Sequence, residues 1–93
     1  MRVIRPFALQ PGSQRLPVPD TAQILGVGLA DSLDREDAVC VWILFNQDHV
    51  VLNGLRVMVV SEWDEIHDEA RLAYIGMVET ADGPRFVFEI KGH

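Results

Sequence analysis

Short runs in which apolar and polar residues alternate recur along this chain, and Gly, Pro, Asn or Asp separate them. A period of two puts successive side chains on opposite faces of a strand, so the pattern predicts β structure. In the first run Val3, Phe7 and Leu9 share a face, and Pro6 assigns that run to a sheet edge. "QPGSQRLPVPD" reads as turn and extended chain, because Pro17 and Pro19 withhold ladder donors; only Gln14 to Val18 can pair there, and briefly. In "AQILGVGLAD" Leu25, Val27 and Leu29 share one face, and Ile24, Gly26 and Gly28 the other. The alternating glycines predict a bulge or a close backbone approach. They do not mark a phosphate loop, since "LADSLDRED" follows with turn chemistry instead of a helix N-terminus.

The strongest element is Ala38 to Phe45. Val39, Val41, Ile43 and Phe45 lie on one face and Cys40, Trp42 and Leu44 on the other. Apolar residues on both faces predict a strand covered on both sides. "LRVMVV" is a strand with Leu55, Val57 and Val59 aligned, entered through the tight-turn pair Asn53-Gly54. "AYIGMVETADGPRFVFEI" is the clearest hairpin, turning at Asp82-Gly83. Its alternation predicts Phe86, Phe88 and Ile90 inside and Val87 and Glu89 outside. Together these runs predict a mainly β fold: a single domain over residues 1–93, built as a small antiparallel β-sandwich or partly open barrel.

"SEWDEIHDEAR", residues 61–71, breaks the period and holds five of the fourteen acidic residues. Ser61 with Asp64 three residues on resembles a relaxed capping box. On a helix Trp63, Ile66 and Ala70 would share one side, the acids would face water, and Asp68 could pair with Arg71. This predicts one short helix near 62–70; the alternative is an irregular loop carrying the same residues. In either form Glu62, Asp64, Glu65, Asp68 and Glu69 make an acidic binding surface.

Composition narrows the functions. A net charge of −6, with eight Lys plus Arg against fourteen Asp plus Glu, disfavours direct nucleic-acid binding and offers no basic run for a membrane. The N-terminal stretch, broken by Arg5 and Pro6, has no apolar run of signal-peptide length, and no segment is long enough to span a bilayer. A cytoplasmic protein is expected. Hydrophobic residues make up 48% of a chain small enough to have a thin core. That surplus predicts a homo-oligomer with Cys40, Trp42 and Leu44 at the interface. The competing cover for that face is the 62–70 helix itself, through Trp63 and Ile66.

Candidate chemistry is sparse. Asp64, His67 and Asp68 could meet on a helix as metal ligands, but no HExxH, Cys-pair or calcium-loop spacing is present, so no metal or cofactor is predicted. His49 sits in a polar turn, and His93 is terminal. The single cysteine, Cys40, lies in an apolar run without an activating base. Ser13, Ser32 and Ser61 fall in turn or cap contexts, and no catalytic residue is assigned.

"AQILGVGL", "VCVWILF", "LRVMVV" and "LAYIGMVETADGPRFVFEI", in this order, resemble a family of small bacteriophage and prophage β-proteins of uncharacterised function. The matching positions over residues 22 to 90 include Ile24, Leu25, Val27, Trp42, Arg56, Val57, Tyr74, Ile75, Gly76 and Val78. The chain departs from that pattern at "SEWDEIHDEA" and at Met77. The resemblance implies a viral accessory role in the host cytoplasm and no catalytic residues.

Three functions follow as expectations. The first is a non-enzymatic accessory protein that binds a host or viral macromolecule, with a basic protein as partner and a host defence component as target. The second is a structural or assembly protein acting as a homo-oligomer. The third is a protein that sequesters a small ligand, for which Arg56, Arg71, Trp42 and Tyr74 are the suggestive set.

Overall fold

The computed structural model describes residues 1–32 and 35–91. Leu33 and Asp34, where turn chemistry is expected, and Gly92 and His93 lie outside the described residues. The alternating runs form seven strands: β1 (Arg2–Ala8), β2 (Gly12–Leu16), β3 (Gln23–Ser32), β4 (Arg35–Asn46), β5 (Leu55–Ser61), β6 (Leu72–Thr80) and β7 (Gly83–Ile90). They make two antiparallel sheets, ordered β1-β4-β3 and β2-β5-β7-β6. The sheets stack as a flat β-sandwich of 38 × 36 × 18 Å. The chain passes from one sheet to the other through Leu9 to Pro11, where the Leu9 amide still bonds to the Val39 carbonyl at 2.8 Å.

The core lies between the sheets. Val39, Val41 and Ile43 of β4 meet Val57 and Val59 of β5, Val78 of β6 and Val87 of β7. Phe7 and Phe45 close one side, their rings 6.1 Å apart and tilted by 53°. Pro6 sits in the edge strand β1, where a missing donor leaves no ladder bond unmade. Gly54, just before β5, has φ +72°, and a Cβ there would stand 2.6 Å from the Leu16 carbonyl oxygen. Position 54 therefore requires glycine twice over, for its left-handed backbone and for the approach of β2.

Three expectations are corrected. In β7 the faces are inverted: Val87 is fully buried in the core, while Phe86, Phe88 and Ile90 are half-buried on the outer side. The core takes the smaller residue because β5 already fills it with Val57 and Val59, and Val59 stands directly opposite Val87. In β3 the glycines do accompany a bulge, between Ile24 and Gly26. The extra residue turns Leu25 outward and puts Ile24 on the core side with Val27.

The third correction concerns residues 62–71, which form two isolated turns in place of the expected 62–70 helix; the described residues contain no helix. The reason is topological. β5 and β6 both run antiparallel to β7, which lies between them, so they are parallel to each other. The connection must therefore travel from the end of β5, at the level of Arg85, to the start of β6, at the level of Ile90. That is about 17 Å along the sheet and about 10 Å across it, roughly 20 Å in all. Ten helical residues reach only about 15 Å. The segment crosses the sheet as an extended strap instead.

Candidate functional site

The strap carries every acidic residue that the sequence singles out. Glu62, Asp64, Glu65, Asp68 and Glu69 are all exposed. None makes an ion pair among the described residues, so the expected Asp68–Arg71 pair is not formed. At the first turn the capping relation survives without its helix. The Ser61 amide donates to Asp64 Oδ2 at 2.8 Å, and the Asp64 amide donates back to the Ser61 carbonyl at 3.2 Å. At the second turn the Ala70 amide bonds to the His67 carbonyl at 3.0 Å, and the Glu69 amide donates to His67 Nδ1 at 3.3 Å. Asp64 and His67 thus serve separate turns, and no cluster of metal-ligating side chains forms among the described residues. Trp63 does not turn inward to cover a sheet; it is 86% exposed.

Beneath the strap lies the outer face of the four-stranded sheet. Ser13, Arg56, Met58, Leu72 and Ile90 look out from it, and Glu65, Ile66, His67 and Glu69 look down from the strap. Together they enclose a cleft of about 670 Å³. Farther along the same face Tyr74 stacks obliquely on its cross-strand partner Phe88, with ring centroids 5.6 Å apart. Of the four residues suggestive of a ligand site, Arg56 and Arg71 line this cleft, whereas Tyr74 lies beside it and Trp42 is on the other sheet. Nothing in the linear pattern marks Met58 or Lys91 as cleft residues; only the register and the strap's path bring them there.

The opposite side of the molecule is the outer face of the three-stranded sheet. Cys40, Trp42 and Leu44 project there, as the alternation of β4 requires. They are not equally open. Cys40 is 1% exposed, Leu44 is half-buried and Trp42 is 43% exposed. The expectation that both faces of β4 are covered therefore fails within one chain. Beside Trp42 stand Pro6 of β1 and Gly26 of β3, and beside Leu44 stands Ile4. Burial pushes the Cys40 thiol above its ordinary range, against a smaller lowering from a backbone hydrogen bond at Phe7. That leaves little thiolate for nucleophilic chemistry.

No family model, curated protein or solved structure matches this chain. No described helix is long and apolar enough to cross a membrane. What the site can do rests on its own chemistry.

Proposed function

We propose that this chain is a non-enzymatic accessory protein, of the bacteriophage kind its strand pattern resembles, that acts by binding a basic protein of the host or virus. Inhibition of a host defence component is the role we assign to that binding. The observation that carries the reading is Trp63, 86% exposed on a strap of exposed acids that make no ion pair among the described residues. An indole held in water is a large apolar surface awaiting burial. Tryptophan surrounded by a charged rim is the composition of an interface hot spot. The acids add electrostatic steering toward a basic partner without requiring burial of their charges.

A second interface supports the alternative expectation of self-association. Trp42, Leu44, Ile4 and Pro6 form an apolar patch on the face opposite the strap. A twofold pair joined there keeps two straps of a −6 chain apart, on the far sides of the dimer. In this reading the dimer is the scaffold and the strap is the working surface.

Affinity isolation from host lysate, repeated with two variants, tests the reading. Trp63→Ala and the combined Glu62→Gln, Glu65→Gln, Glu69→Gln should both lose the same basic partner. Wild-type binding should weaken as salt rises, and the Gln variant's residual binding should be less salt-sensitive. A partner retained by both variants would move the interface off the strap.

A further inference from the structure

We infer that the cleft beneath the strap binds a small aliphatic carboxylate, with its head between Arg56 and Arg71 and its chain along the outer face of the four-stranded sheet. The protein is strongly acidic, yet three of its eight cationic residues, Arg56, Arg71 and Lys91, line this one cleft. They stand at the same end of the sheet. Arg15 and Arg56 are direct cross-strand partners, so their side chains leave the sheet on the same face. The Lys91 amide donates to the Arg71 carbonyl at 2.7 Å, which extends the β6–β7 pairing one rung past Leu72–Ile90 and places the two residues opposite each other at the rim of the sheet. Like charges directly opposite each other on a sheet repel. Lys91 is answered by Glu89 at 3.0 Å, whereas Arg15, Arg56 and Arg71 have no ion-pair partner among the described residues. Arg15 lies outside the cleft, so an anion received there would supply the counter-charge that Arg56 and Arg71 lack among the described residues.

The rest of the lining selects the body of the ligand. Met58, Ile66, Leu72 and Ile90 give an aliphatic wall, and no aromatic side chain lines the cleft. The Tyr74–Phe88 pair lies beside the cleft and not in its lining, so a hydrocarbon chain inside it finds aliphatic contact where a nucleobase finds no ring. The volume lies within the range usual for small-ligand sites. Two arginine forks can grip a planar carboxylate through paired hydrogen bonds. Glu65 and Glu69, across the cleft on the strap, oppose the anion and set an upper bound on its affinity.

Octanoate titrated into the full chain, followed by heteronuclear NMR and calorimetry, tests this. Binding with a Kd below about 1 mM is expected, with shifts centred on Met58, Leu72 and Ile90. Arg56→Gln and Arg71→Gln, each verified as folded by circular dichroism, should each weaken it roughly tenfold or more. Glu65→Gln with Glu69→Gln should strengthen it, the opposite of their expected effect on a basic partner, so this inference and the proposed function can fail separately. Octanol and inorganic phosphate serve as the neutral and chainless probes, and both should bind far more weakly. No octanoate binding below about 1 mM, equal binding of octanol, tighter binding of adenosine monophosphate, or affinity unchanged in both arginine variants would overturn the inference.

Discussion

Gly76 of β6 lies against Val27 of β3 so closely that a Cβ on the glycine would stand 2.7 Å from Val27 Cγ2. The two strands belong to different sheets and share no ladder, so this contact is where the sandwich closes along one edge. A bulge sits beside each partner, between Ile24 and Gly26 in β3 and between Tyr74 and Gly76 in β6. Bulges bend strands, and here both edge strands carry one where they meet.

Gly76→Ala should therefore destabilise the fold by about 1–3 kcal/mol, because valine is stiff about χ1 and cannot swing clear. Val27→Ala in the same chain should recover part of that loss, giving non-additive energies in a double-mutant cycle. Urea denaturation of the four proteins measures it. Purely additive effects would mean that the two residues do not share this contact.

How much of this was legible in the linear pattern depends on what each residue answers to. The alternation in β4 correctly placed Val39, Val41 and Ile43 together because period two is a local property of a strand. The same rule could not say which face of β7 turns inward. That choice was settled by Val57 and Val59, thirty residues away in sequence and adjacent only through the β5–β7 register. Val18 was hidden more deeply. It stands between Pro17 and Pro19 in a stretch that reads as turn, yet it is fully buried in the core. The acidic residues of the strap were legible as a surface, but their conformation was not. The capping signal at Ser61 and Asp64 is real, while the distance the segment must span is set by β6 pairing on the far side of β7.

The Cys40 thiol should resist alkylation in the folded protein. Burial raises its pKa, so at pH 8 the reactive thiolate is scarce, and the side chain is almost wholly out of solvent. N-ethylmaleimide should modify it slowly in buffer and rapidly in urea, as followed by mass spectrometry. Equal rates in the two conditions would show that the outer side of β4 opens freely.

The N-terminal ammonium of Met1 ties the start of the chain to the β4–β5 loop, bonding to Asp48 Oδ2 at 2.5 Å and to Asn46 Oδ1 at 3.2 Å. The hydrogen bond first, and the ammonium charge second, hold the Asp48 carboxyl below the usual aspartate range. A depressed folded pKa means that the tie is present above the unfolded value and is lost as pH falls through the folded one. Both groups are highly exposed, so the effect is local. Acetylating the N-terminus should raise the Asp48 pKa toward its ordinary value in a carbon-detected NMR titration. An unchanged titration would remove the tie.

The last prediction is the dimer, expected through the outer face of β4. Trp42 is the largest side chain there and is 43% exposed, with Gly26 opposite it on one side and Pro6 on the other. Neither neighbour can shield an indole as a large flexible side chain would. Covering this patch with a second copy desolvates no charged group at its centre and yields roughly 25 cal/mol per Å² of apolar area, before association costs are subtracted. The strap is no longer a competing cover. It crosses the other sheet, and Trp63 faces water. Light scattering after size exclusion should give about twice the 10.4 kDa of one chain. Trp42→Glu should shift the protein to monomer with its β circular dichroism retained, because the side chain is not part of the core between the sheets. Glu65→Gln, on the opposite side, should leave the dimer intact. A wild-type monomer at tens of micromolar would defeat the dimer, and a Trp42→Glu dimer would move its interface elsewhere.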